Sequence, residues 1–241
     1  MGINLEKMKA KLEKLNQQGA GGVFWKPQAG EQTIRIVPTP DGDPFKEFWI
    51  HYGVGKERPF LSPKKNFGDD DPLDDFVREL YSDGGPESIK LAKQIKAKQR
   101  FCSPVIVRGE EEKGVRLWGY GKRVYQALIE LCLNPEYGDI ADVMEGTDLT
   151  IKYTKASGES FPQTSIVPKR RSSPIVEEDP EKVLEGIPSF DKAYTRKTPD
   201  DVRVILENFL MTQSEGESEK YGGGESSEID SALSDLLKDK K

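Results

Sequence analysis

Residues 101–120, FCSPVIVRGEEEKGVRLWGY, decide how the chain is read. Phe101 to Arg108 and Val115 to Tyr120 are short runs rich in β-branched and aromatic residues. The polar segment from Gly109 to Gly114 separates them, which predicts two strands joined by a hairpin connection. Alternate residues of a strand share a face, so Arg116, Trp118 and Tyr120 fall together. Lys122 and Arg123 follow at once and open a helix candidate that runs to Cys132.

Working outward, Gln32 to Val37 and Phe45 to Tyr52 are strand candidates parted by the turn-forming segment Pro40 to Pro44, and Thr147 to Lys155 is another. Helix candidates lie between them at Asp74 to Tyr81 and Ser88 to Lys98. Short strands with helices inserted between them predict an α+β, mainly β architecture, a five-stranded Greek-key barrel of the OB-fold type. Thr198-Pro-Asp-Asp supplies an N-cap, a proline at the first helical position and two first-turn acids, opening a helix to about Met211.

The two ends differ from this core. Leu5, Met8, Leu12 and Leu15 recur at helical spacing among Lys7, Lys9, Lys11 and Lys14, so 1–22 is expected to be a basic amphipathic arm hinged at Gln17 to Gly22. Too short to be stable alone, it docks on its own domain or on a neighbouring molecule. Residues 213–241 carry 8 acids against 4 lysines. From Ser214 to Ser227 this segment has almost nothing to bury, which predicts a disordered acidic tail. Its apolar anchors are Ile229, Leu233, Leu236 and Leu237, a pattern suited to partner binding. The expected domains are the arm 1–22, the core 23–212 with a subdomain around 55–85, and the tail 213–241.

Composition restricts the function. At 241 residues the chain is long enough for one substantial core with appendages or for two small domains, and one core with tails is the simpler reading. Cys102 and Cys132 lack CxxC spacing and are expected to be buried thiols, and His51 is the single histidine. With no nucleophile-elbow, zincin or phosphate-loop motif, no enzyme is expected. Nor does any apolar run approach the roughly 18 residues of a membrane span, so a soluble intracellular protein with no membrane partner is expected.

The net charge of −6 conceals segregation. Lys90 to Glu130 carries 10 Lys and Arg against 4 Glu, and Thr150 to Ile175 carries 5 against 1, whereas Asp69 to Glu79 has 6 acids against Arg78 alone. Binding an unpaired nucleic-acid strand takes cations for phosphates and rings for bases. Lys98, Arg100, Phe101, Arg116, Trp118, Tyr120, Lys122 and Arg123 supply both, and Phe161 with Lys169, Arg170 and Arg171 forms a second cluster. The alternative is that the rings fill the core while the cations are merely solvated.

Ile34-Arg-Ile-Val-Pro, Phe45 to Gly53 with His51, the Phe101 strand, the Trp118 to Tyr125 run, Phe161 and the closing Asp230-Ser-Ala-Leu-Ser-Asp-Leu-Leu occur in the order of a known family. The chain resembles the T-even-type bacteriophage single-stranded-DNA-binding, or helix-destabilising, proteins. The resemblance implies an OB-fold core that coats single-stranded DNA in the cytoplasm of an infected bacterium. It further implies an N-terminal arm for cooperative self-association, and an acidic tail that recruits replication and recombination proteins. It places Arg35, Arg100, Phe101, Trp118, Lys122, Arg123, Phe161 and Tyr81 on the cationic and aromatic cleft.

Two departures stand out. The family's zinc site joins one His to three Cys, but here Leu61, Asp71 and Asp74 stand where cysteines are expected around His51. Aspartates are poor substitutes for thiolates, so no zinc and no other cofactor is expected, with Pro72, Leu73, Phe76 and Val77 holding the subdomain by packing. The arm also lacks the family's basic-plus-hydroxyl motif, whose nearest likeness is Lys169 to Ser173. A single-stranded-RNA-binding regulator and a protein-only scaffold are the competing functions.

Overall fold

The computed structural model describes residues 23–154, 162–176, 179–190 and 194–218, with side chains of the last segment described to Thr212. The expected arm, Phe161, and the tail anchors Ile229, Leu233, Leu236 and Leu237 lie outside the described residues. In chain order the strands are β1 (Phe24–Trp25), β2 (Gly30–Ile36), β3 (Lys46–His51), β4 (Phe60–Leu61), β5 (Lys98–Val107), β6 (Arg116–Tyr120), β7 (Thr147–Thr154), β8 (Gln163–Ser172) and β9 (Thr195–Arg196). The helices are α1 (Pro63–Phe67), α2 (Pro72–Asp83), α3 (Pro86–Ile95), α4 (Lys122–Leu133), α5 (Pro180–Glu185) and α6 (Pro199–Ser218). The class is α+β with mixed, mostly antiparallel strands. Among the described residues no helix is long and apolar enough to cross a membrane.

Where one core from 23 to 212 was expected, the chain divides into two compact units. Described residues up to Phe48, with those from Gln99 to 190, form the first; Trp49–Lys98 and those from Tyr194 on form the second. The expected subdomain around 55–85 is thus the centre of a larger unit that takes its last helix from the far end of the chain.

In the first unit the strands run β8-β7-β2-β5-β6-β1 and the sheet stays open among the described residues. β5 is buried along Phe101–Val107, as a near-continuous apolar run requires of a strand covered on both faces. Its Phe101, Val105 and Val107 join Ile34 and Ile36 of β2, Leu149 and Ile151 of β7, Trp118 and Tyr120 of β6 and Leu128 of α4 in one core. Ile106 points the other way, to Val37, Val115 and Ile175. Cys102 is buried, its thiol pushed up to about 12 by desolvation, whereas Cys132 is exposed near the end of α4, against expectation.

In the second unit a proline opens each helix, and at α1, α2 and α6 a polar N-cap precedes it, while Gly85 precedes α3. Ser62 Oγ accepts from Lys65 N–H at 3.3 Å ahead of α1, and Asp71 Oδ1 accepts from Asp74 N–H at 3.2 Å ahead of α2. Thr198 opens α6 with a reciprocal pair, Asp201 N–H to Thr198 Oγ1 at 3.2 Å and Thr198 N–H to Asp201 Oδ2 at 3.0 Å. Leu73, Phe76, Val77 and Leu80 of α2 pack with Ile95 of α3 and with Val202, Leu206, Phe209 and Leu210 of α6. This last helix continues to Ser218, past the expected end near Met211 and into residues assigned to the tail.

Candidate nucleic-acid interface

The rings expected to stack on bases lie inside. Trp118 is 1% exposed, edge-on to Trp25 with centroids 5.9 Å apart and 4.6 Å from Tyr120. The hydroxyl of Tyr120 shares a 2.5 Å hydrogen bond with Ser103, and burial raises its pKa well above the ordinary phenol value. Phe101 is 2% exposed and stacks on Tyr125 at 3.9 Å with planes 5° apart. The reason is pairing: β6 runs antiparallel to β5 with Ser103 opposite Trp118 and Phe101 opposite Tyr120, so the face these rings share is the core face.

Two expected cations are also structural. Arg35 is fully buried on the opposite face of β2 from Ile34 and Ile36. Its Nε donates to Asp148 Oδ1 at 2.9 Å, Nη1 to Asp142 O at 3.2 Å and Nη2 to Ser173 Oγ at 2.8 Å. Burial lowers its pKa, and the carboxylate of Asp148 opposes that shift. Arg116 is half-buried, its Nη2 2.6 Å from Glu110 Oε2 within the hairpin. The hairpin closes through a one-turn helix at Glu111–Lys113.

The other cations stay at the surface. β5 starts beside the end of β6, so the turn at Gly121 brings Arg100 next to Lys122 and Arg123 at the start of α4, all exposed; Lys98 is exposed at the first position of β5. A Cβ on Gly121 would sit 3.4 Å from the Arg100 guanidinium. The α4 N-terminus has no side-chain cap and no first-turn acid, so its N–H groups and dipole reinforce the positive corner.

Tyr125 and Phe45, ring centroids 6.3 Å apart, are half-buried beside the core. Sequence reasoning did not select them, although Tyr125 lies one helical turn from Lys122 and shares its face. Lys169, Arg170 and Arg171 are exposed on β8, a strand not among the candidates read from the sequence. In the second unit Tyr81, 41% exposed, lines a shallow cavity of about 400 Å³ with Lys64, Lys65, Asp74, Val77, Arg78 and Ser82.

The structure does bring His51, Asp71 and Asp74 together, with one ligand atom from each within 4.8 Å of the others. Their chemistry does not fit zinc. His51 Nδ1 lies 2.9 Å from Ile95 O and Nε2 3.2 Å from Asp71 Oδ2, so both ring nitrogens face acceptors. Asp71 Oδ2 also accepts from the Ser62 hydroxyl at 2.6 Å, while its Oδ1 caps α2. Asp74 pairs with Lys65 at 3.3 Å. No thiolate is present, Leu61 offers no donor, and the lone pairs a metal needs are engaged. Burial would raise the Asp71 pKa, but the hydrogen bonds from His51 and Ser62 outweigh it and leave the carboxyl below its usual range.

No protein-family model matches the chain, and no curated protein matches it significantly.

Proposed function

We propose that this protein is a non-catalytic single-stranded-DNA-binding protein of bacteriophage replication, recombination and repair. The observation that carries the reading is the corner of the first unit where Arg100, Lys122 and Arg123 surround the uncapped start of α4, with Tyr125 and Phe45 half-exposed alongside. Cations meet phosphates there and rings meet bases, the two needs of sequence-tolerant binding. The ordered resemblance to helix-destabilising proteins supports the same reading, as does the segregation of positive charge into the middle of the sequence. On this view the first unit is an OB-type core with an open sheet. The arm 1–22 joins neighbouring copies along the strand. The acidic tail recruits replication partners in the host cytoplasm and competes with DNA for the positive surface at low salt.

A salt titration of binding to poly(dT), poly(rU) and duplex DNA of equal length tests it. Preference for poly(dT), with log K falling against log salt by about 0.7 per phosphate engaged, is the expected result. Equal or absent binding to poly(dT) refutes the reading, and preference for poly(rU) reassigns the protein to RNA.

A further inference from the structure

We propose that Arg35, Arg108 and Asp148 are positioning residues: they fix a bulge in β8 so that Lys169, Arg170 and Arg171 form one outward cationic rim for strand phosphates. The inference rests on the DNA-binding reading above. It starts from the register of β7 and β8. Leu149 pairs with Pro168 and Thr147 with Ser172, so the single residue Asp148 spans what residues 169–171 span on the other strand. The two extra residues belong to the cationic triplet. Bulges re-aim side chains, and Pro168, which has no N–H to give a ladder, marks where this one begins.

Asp148, the residue opposite the triplet, is engaged elsewhere. It receives Arg35 Nε at 2.9 Å and Arg108 Nε and Nη2 at 3.0 and 2.9 Å. Two guanidiniums share one carboxylate, so the cross-strand acid that would neutralise the triplet is spent. Among the described residues no ion pair holds Lys169, Arg170 or Arg171.

The same two arginines grip the chain just past the bulge. Arg35 donates to Ser173 Oγ at 2.8 Å, and Arg108 to Pro174 O at 2.9 Å and Ile175 O at 2.7 Å. Backbone bonds from Ser173 N–H to Gly146 O (3.1 Å) and Ile175 N–H to Val143 O (2.8 Å) complete the anchor. Gly146 admits Arg35, because a Cβ there would come within 2.6 Å of the guanidinium.

A purely structural network would change DNA affinity, if at all, independently of the triplet, and that difference is measurable. Fluorescence anisotropy with labelled oligo(dT) over a salt series compares four full-length proteins: unaltered; Lys169→Ala with Arg170→Ala and Arg171→Ala; Arg108→Met; and all four changes together. The triplet variant should bind more weakly and lose up to about two from the salt slope, three phosphates at roughly 0.7 each. Arg108→Met should lower affinity and slope in the same direction, and should have no further effect once the triplet is gone. Arg108→Lys, which keeps the charge but cannot bridge Asp148 and two carbonyls, should fall with Arg108→Met. Should Arg108→Met not fold, as judged by circular dichroism, Ser173→Ala removes one clamp contact and replaces it in the same cycle. Independent, additive losses from Arg108→Met and the triplet would overturn the positioning role alone. No loss from the triplet itself would overturn both that role and the place of this rim in the proposed function.

Discussion

Replacing Trp118 with alanine separates the core from a base-stacking role for this ring. The side chain is 1% exposed, contacts Trp25 edge-on and lies against Tyr120, so truncation opens a cavity between β6, β1 and β5. Buried Trp-to-Ala changes cost about 3–5 kcal/mol, and each lost aromatic pair adds on the order of 0.5–1.5 kcal/mol beyond area. Whole-domain stability is only about 5–15 kcal/mol, so the variant keeps a fraction of its margin and its Tm should drop by roughly 10–20 °C. The assay is urea and thermal unfolding by far-ultraviolet circular dichroism, paired with oligo(dT) titration at a temperature where the variant stays folded. Affinity per folded molecule should hold within about twofold. A ring stacked on a base would instead cost about 1–3 kcal/mol of binding, roughly five- to hundredfold. An unchanged Tm with a loss of that size would refute the placement of Trp118 in the core.

Tyr125→Ala should weaken oligo(dT) binding by about 1 kcal/mol, toward the low end for a stacking ring because one of its faces is already covered by Phe101, while Tyr125→Phe should bind normally; equal binding by all three would remove Tyr125 from the interface. Gly146→Ala should lower stability by about 1–3 kcal/mol in urea titration, since its Cβ would collide with the Asp142 carbonyl and the Arg35 guanidinium. Chelation by EDTA should leave the Tm unchanged, and one tightly held zinc per chain by elemental analysis would contradict the donor chemistry at His51. Asp71→Asn removes the carboxylate that His51 and the Ser62 hydroxyl share and should cost about 1–3 kcal/mol. Because the folded Asp71 carboxyl sits below its unfolded value of about 3.9, its stabilisation is complete above that pH and is lost as pH falls through the folded value. Acid unfolding of the variant should lack that component.

Several strands and helices of both units were legible because their signals are local. Residues 101–120 announce β5 and β6 by composition, and Thr198-Pro199-Asp200-Asp201 announces α6 by its cap. What escaped depends on distant partners. β8 has no fully buried position and carries three cations, so its sequence resembles a loop; only its pairing with β7 makes it a strand. The second unit is assembled from residues 49–98 and a helix more than a hundred residues later, and the apolar stripe of α6 does not say which surface will cover it.

The candidate site shows the same division between local pattern and long-range pairing. Alternation correctly groups Trp118 with Tyr120, but alternation alone cannot say which face meets the core; the antiparallel register with β5 decides that, and it sends both rings inward. Cations sort by a related rule. A guanidinium can be buried only where fixed acceptors replace its water, and Arg35 meets that condition through Asp148 and Ser173 on segments far along the chain. Arg100, Lys122 and Arg123 are gathered by one β-turn-helix connection with no acid in the first turn of the helix, so they remain at the surface. The useful unit for locating such a site is therefore the cation together with the acid that reaches it. Asp148 holds Arg35 inside the fold and is thereby engaged away from Lys169, Arg170 and Arg171, the cations that the proposed reading turns toward a polyanion.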